Sequence, residues 1–308
     1  MNYPTGANRE ITSLKTVTEK DKYAADAIQL NPNIDGTLAN EVSKKVNIIN
    51  NAAAHNGIFR GINLLTKYTL AQILTKISNG DFEDLYIGDY FDITISTEYT
   101  SSEVVRCILA DFDYYWNCGD VPFRQHHAVI VPKNAFAILA KMNETNTTEG
   151  GYYNSDMCQT IMSEYNIALN TVFGGHLLTR KELLTNAVNA TTPSMGGAGL
   201  TGASSGWAWY DNAICLMSEI QVYGSKVWSS SGYDTGIANR QLALFRHDPS
   251  ALVCKAGGVE DANASNRVWW WLRDVASASY FAIVGTLGDS SYYGASGSGG
   301  VRPLFLIG

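Results

Sequence analysis

Near its end the chain runs for 22 residues almost without charge. Between Ser279 and Gly300, 14 of 22 residues are Tyr, Ser or Gly; Asp289 is the only charge, and Lys, Arg and Glu are absent. Two apolar segments fence this stretch. Trp269-Trp270-Trp271-Leu272-Arg273 lies upstream, and Val301-Arg302-Pro303-Leu304-Phe305-Leu306-Ile307 lies downstream and reads as a buried strand. Such fencing requires a sheet on both sides of a polar excursion, which lets the excursion present side chains without collapsing. A plain Gly/Ser linker would lack Tyr280, Tyr292 and Tyr293. Tyr gives a large amphipathic contact at low rotamer cost, while Ser and Gly adapt their hydrogen bonding. The stretch therefore reads as a displayed binding surface, against the alternative of a loop without a role. The other tryptophans (Trp207, Trp209, Trp228) are read mostly as core, because Trp is highly buried on average. Trp269 comes first in a strand whose sides alternate and is the one expected to be exposed.

The rest of the chain reads as α+β with many short strands. Residues 1–35 are polar, with a short helix expected near Glu19–Gln29. Leu38, Val42, Val46 and Ile49 mark one face of a helix from Thr37 to about Asn56, and Leu65, Tyr68, Ile73, Leu74 and Ile77 mark a second over Leu64–Ile77. These segments are either an oligomerisation or docking element or two helices packed on the main domain. Strands are expected over Leu85–Ile93 with a turn at Gly88-Asp89, over Glu103–Phe112, and over Ala128–Val131. A helix is expected over Asp156–Phe173. Thr179 with Glu182 three residues later fits a capping box, which predicts a short helix over Thr179–Ala187.

Composition removes several classes of function. At 45% hydrophobic and 17% charged the chain is globular, and a net charge of −7 without a Lys/Arg run argues against nucleic acid. Ala187–Tyr210 is uncharged over much of its length but too rich in Ser, Thr and Gly to cross a membrane, so no membrane insertion is expected. The start, Met-Asn-Tyr-Pro-Thr-Gly, lacks a basic stretch and an apolar core, so secretory export is not expected. On that basis the sequons at Asn143, Asn146, Asn189 and Asn263 are read as coincidence. Cys107, Cys118, Cys158, Cys215 and Cys254 are odd in number and widely spaced, so they read as reduced thiols.

Catalytic and metal chemistry finds little purchase. His126 and His127 are adjacent in an extended segment and point opposite ways, which works against a shared metal. Asp111, Asp113, Asn117 and Asp120 offer hard oxygens for calcium but without loop spacing of the EF-hand kind. Ser229-Ser230-Ser231-Gly232 is not a nucleophile elbow. No catalytic residue, metal ligand or cofactor is assigned.

Trp270-Trp271-Leu272-Arg273, a Gly/Ser/Tyr stretch and then Gly299-Gly300-Val301-Arg302-Pro303 resemble the end of C-type-lectin-fold proteins of the formylglycine-generating type. Leu216-Met217-Ser218-Glu219-Ile220-Gln221-Val222-Tyr223-Gly224-Ser225 is similar to the middle of that group. The resemblance covers roughly residues 80 to 308. It is strongest to virion proteins of gut phages, several of which are variable proteins of diversity-generating retroelements. The enzymes of the group use a cysteine pair late in the fold, whereas the last ninety residues here hold only Cys254, so the resemblance implies a scaffold reused for binding.

In that group an error-prone copying step rewrites adenine-bearing codons. The residues at Val268, Tyr280, Val284–Leu287, Asp289–Gly294, Ser296 and Ser298 could each arise from an Asn codon in this way. The resemblance thus implies ligand-binding positions at Trp269, Tyr280, Val284, Gly285, Thr286, Leu287, Asp289, Ser290, Ser291, Tyr292, Tyr293, Ser296 and Ser298. It implies a C-type lectin fold at 80–308 behind a helical N-terminal attachment region at 1–79. The expected protein is a non-enzymatic phage virion protein, assembled in the bacterial cytoplasm and displayed on the particle as a homotrimer among other virion proteins. Its expected ligand is a cell-surface or mucosal glycan or protein. The rivals are a purely structural capsid decoration or tail protein with no ligand, and a degenerate oxidoreductase.

Overall fold

The structure is a computed structural model that describes residues 52–189, 204–229, 236–257 and 266–308. The expected arm, the helix near Glu19–Gln29 and the Leu38, Val42, Val46 and Ile49 face lie outside the described residues. Helix α1, Ala52–His55, covers the end of that expected helix.

The chain is α+β and mostly sheet, with one six-stranded sheet curled into a half-barrel. Strands β1 (Tyr90–Ile95), β2 (Glu103–Phe112), β3 (Ala128–Pro132), β4 (Leu139–Ala140), β5 (Leu177–Leu178), β6 (Arg180–Val188), β7 (Ser204–Asn212) and β8 (Ile214–Leu216) come first. They are followed by β9 (Cys254–Lys255), β10 (Arg267–Val268), β11 (Trp270–Val275), β12 (Tyr280–Val284), β13 (Ser290–Gly294), β14 (Gly299–Gly300) and β15 (Pro303–Ile307). The larger sheet runs β1-β2-β3-β15-β5, and β8 also pairs with β15; all its pairings are antiparallel. β3 and β15 are buried along their entire length, as expected where both faces of a sheet are covered.

Helix α2 (Leu70–Ser78) starts at Thr69, whose side chain and Gln72 form a capping box, and it buries Ile73, Leu74 and Ile77. Helix α3 (Met162–Phe173) follows a π-helical turn at Met157–Ile161 and buries Tyr165, Leu169 and Phe173. Its Phe173 meets Phe91 of β1 and Phe305 of β15 at centroid distances of 6.3 and 5.6 Å. Leu64, Ile73 and Ile77 join the same hydrophobic core as the sheet strands. The described part of the N-terminal region is therefore packed into the body of the molecule.

The second sheet runs β13-β12-β11-β14-β4, antiparallel except where β11 meets β14 at Trp270 and Gly300. Gly299-Gly300-Val301-Arg302-Pro303 is the hinge between the two sheets, since β14 belongs to one and β15 to the other. Arg302 is fully buried there. It donates to the carbonyls of Pro132 (2.9 Å) and Ala251 (2.6 Å), and its guanidinium lies 5.0 Å from the centre of the Trp270 ring. Charge-assisted bonds to main-chain carbonyls and a ring under the guanidinium stand in for a carboxylate partner.

Three expectations about elements change. Thr179–Ala187 is not a helix; Arg180–Val188 is strand β6, paired along its length with β7. Arg180, Glu182 and Leu184 are buried and Lys181 and Leu183 less so, a period of two that a helix cannot provide. Pairing with β7 overrides the cap signal. The strand expected over Leu85–Ile93 begins only at Tyr90, because Gly88 at φ 86° turns the chain and Asp89 accepts from the backbone amides of Ile62 and Tyr86. The stretch 279–300, read as a polar excursion between two apolar segments, is itself built of strands. It is the β12–β13 hairpin followed by β14.

Candidate ligand-binding surface

The β12–β13 hairpin fixes which side chains of the 279–300 stretch share a face. Its register pairs Phe281 with Tyr293, Ala282 with Tyr292 and Val284 with Ser290, without irregularity. β11 adds Trp271 opposite Ile283 and Trp270 opposite Val284. One face therefore carries Trp271, Phe281 and Tyr293, and the other carries Trp270, Ala282 and Tyr292.

On the first face aromatic rings step outward from core to solvent. Trp271 meets Phe281 edge-on at 6.4 Å, and both are buried. Trp269 meets Trp271 edge-on at 4.8 Å and lies tilted against Tyr293 at 4.7 Å. Trp269 is half-buried, and Tyr293 is 49% exposed. Two glycines make room for the outer rings. A Cβ on Gly299 would overlap the Trp269 ring, and one on Gly297 would overlap the Tyr293 ring. The Gly and Tyr content of the stretch is thus coupled: the glycines are the floor on which the aromatics lie.

The opposite face is organised by a buried carboxylate. Tyr292 meets Tyr280 at 5.3 Å and Trp228 at 4.8 Å, both edge-on. Helix α4 (Glu219–Tyr223) begins after Ser218, which forms a capping box with Gln221. That cap places Glu219, fully buried, at the helix start. Its carboxylate accepts from the amides of Val227 (2.9 Å), Trp228 (3.1 Å) and Ser229 (3.2 Å), and from the hydroxyls of Ser229 (3.0 Å) and Ser290 (3.1 Å). One side chain therefore holds the Trp228 loop against β13. The Glu219 amide donates to Asp274 at 2.6 Å. Burial and the neighbouring Glu219 charge push the Asp274 carboxyl up to about 7.

The structure sorts the sequence-derived positions. Thr286, Leu287, Asp289, Tyr293 and Ser298 are exposed, with Leu287 at 75%. Trp269, Tyr280, Ser290, Ser291, Tyr292 and Ser296 are half-buried around them. Val284 and Gly285 are corrections. Val284 is fully buried beside Trp270 because β12 lies between two strands and is covered on both faces; Gly285 is buried and offers no side chain. Sequence reasoning missed Glu219 and Asp274 as supports and read Trp228 as core. Ser218-x-x-Gln221 marks the helix start that exposes Glu219 to the loop, but nothing local shows that the loop and β13 meet there.

Other clusters are engaged elsewhere. His127 is buried, its Nε2 accepting from the Tyr115 amide at 3.0 Å, while His126 sits in a groove, its Nδ1 2.9 Å from Asp113 and its ring stacked on Trp116. Asp111 pairs with Arg240 and Asn56, so the acidic residues at 111, 113 and 120 do not converge. The five thiols are unpaired, four of them buried. Burial raises their pKa values, which works against a thiolate nucleophile. A cavity of about 50 Å³ beside Asp274, bounded by Tyr115, Glu182, Trp209 and Arg273, holds little more than water. There burial works to raise the Glu182 carboxyl, but Arg273 and Arg180 outweigh it and hold it near 2. No protein family, curated protein or solved structure matches this chain.

Proposed function

We propose that this chain is a non-enzymatic display protein of C-type-lectin type, carried on a phage virion, whose β12–β13 hairpin binds a bacterial or host surface ligand. The observation that carries the reading is the aromatic ladder Phe281–Trp271–Trp269–Tyr293, which passes from core to solvent over Gly297 and Gly299. An amphipathic surface of this kind, rigid underneath and adaptable at the rim, suits binding by shape, ring contact and hydrogen bonds without a covalent step. The residues at 284–294 implied to vary include Thr286, Leu287, Asp289 and Tyr293, which reach solvent and whose replacement leaves the core intact.

Individual contacts of this sort are weak, so avidity from a homotrimer and from many copies per particle would set the useful affinity. Residues 1–79 would supply trimerisation and attachment to other virion proteins. The test exchanges Thr286, Leu287, Asp289 and Tyr293 together and measures binding of the purified chain to bacterial cells and to a glycan and surface-protein panel. Binding or host range should change while particle assembly persists. Unchanged binding and unchanged host range would leave only the capsid-decoration or tail-protein role. A monomer in sedimentation that does not associate with particles would overturn the trimeric virion assignment.

A further inference from the structure

The β13 strand is the outer strand of its sheet, and its main chain is half unused. The Gly285 amide donates to the Asp289 carbonyl, and the Ala295 amide donates to the Ser279 carbonyl. In an antiparallel pair, bonded positions recur every second residue. The inward-bonding residues of β13 are therefore Ser291 and Tyr293, and the N–H and C=O groups of Ser290 and Tyr292 point away from β12. Among the described residues nothing pairs with those outward groups. The edge also lacks the usual guards against strand addition. Ser290–Gly294 contains no Pro and no Lys, and its pairing with β12 has no bulge. Half-buried Tyr292 flanks the edge on one face and exposed Tyr293 on the other.

We propose that the ligand of this surface is an extended polypeptide segment that adds to β13 as a sixth strand; the proposal rests on the binding reading above and narrows it to a ligand class. Outward N–H and C=O groups repeating every second residue are complemented by another main chain and not by a sugar ring. The two tyrosines would then grip side chains on alternate faces of the added strand. Asp289 at the hairpin tip is exposed and has no ion-pair partner among the described residues, so the segment should carry Lys or Arg at the end nearest that tip. Recognition through the main chain has a further property: it survives replacement of the β13 side chains, which then tune which segment is preferred.

The experiment pans a displayed random heptapeptide library on the immobilised full chain and remakes the selected peptide with single N-methyl groups along its length. N-methylation at every second residue should weaken binding at least tenfold, and at the intervening residues it should change affinity little. Tyr292→Pro removes an outward donor while sparing the β12–β13 ladder, so it should weaken binding further than Tyr292→Ala, which removes only the ring. The N-methyl scan needs no variant and decides the matter even if Tyr292→Pro fails to fold. Failure to select any peptide, or N-methyl effects without a period of two, would overturn the proposal. So would a concentration-dependent dimer lost in Tyr292→Pro, which would assign the edge to a second copy of the chain. Binding to glycans or cells that ignores Tyr292→Pro would sink strand addition and leave the broader surface reading standing.

Discussion

At the residue scale the surface divides by whether a side chain ends in solvent or in the core, and composition cannot see that division. Val284 and Tyr293 lie in the same compositionally uniform stretch, yet one is buried and the other half in water. Val284→Ala should cost about 2 kcal/mol from two lost methyl groups and the cavity left behind. Chemical denaturation should show it as a lower midpoint at unchanged slope. Tyr293→Ala should weaken ligand binding with stability inside about 0.5 kcal/mol, as at other open sites. The glycine floor gives a sharper contrast. Gly299→Ala must push the Trp269 ring aside, so it should lower binding and shift tryptophan fluorescence, whereas exposed Ser298→Ala should leave the fluorescence where it is. What was legible here was the residue make-up of the stretch; Trp269, expected to be exposed, is half-buried because its ring lies between Trp271 and Tyr293. The burial of Val284 was hidden because it depends on strands on both sides of β12.

At the element scale, local signals worked where one element's own pattern decided its state. Glu103–Phe112 and Ala128–Val131 are strands, and Asp156–Phe173 is helical nearly throughout, because alternation marks the first, a short unbroken apolar run the second and one apolar face the third. Thr179–Ala187 went the other way, since its Thr-x-x-Glu signal is a two-residue coincidence and the 2-fold burial of Arg180, Glu182 and Leu184 needs Tyr115, Arg273 and β7 to make sense. The Glu219 loop clamp is an element-scale device of the same non-local kind. Glu219→Ala should strip the acceptor from three backbone amides at once, costing roughly 2–3 kcal/mol for the groups left unpaired. Hydrogen exchange would report this as faster exchange at Val227–Ser229, with the core strands β3 and β15 protected as before. Equal acceleration everywhere would instead mark Glu219 as a general prop of the fold.

At the scale of the whole molecule, the two sheets share one core and meet at Gly300–Pro303, and the buried ionisable groups around that core set how stability responds to pH. Burial pushes the Glu103 carboxyl from an ordinary value near 4.5 up to about 7, only partly offset by the bond it accepts from the Ala137 amide, and its Oε2 has no partner. The folded chain thus keeps a proton on Glu103 that the unfolded chain releases, so this group's contribution is full below about 4.5 and is lost as pH rises toward 7. Asp274 acts with the same sign. His127 acts against them: burial lowers it from 6.5 to about 4, so the unfolded chain holds the extra proton and stability rises with pH between those values. His55, also lowered by burial, adds to that rise. Asp111, raised by burial against the pull of Arg240, joins the two carboxyls, so three carboxyls and two imidazoles oppose each other, and the melting temperature of the native chain should vary little between about pH 4.5 and 6.5. Glu103→Gln takes one carboxyl out of the balance and leaves Asp274 and Asp111 on that side. Its melting temperature relative to the native chain should climb between about pH 4.5 and 7 and level off above, since the variant no longer has this carboxyl to ionise. A difference that stays constant across that range would mean that Glu103 titrates in the fold as it does in the open chain, and that the core around Ala137 admits water.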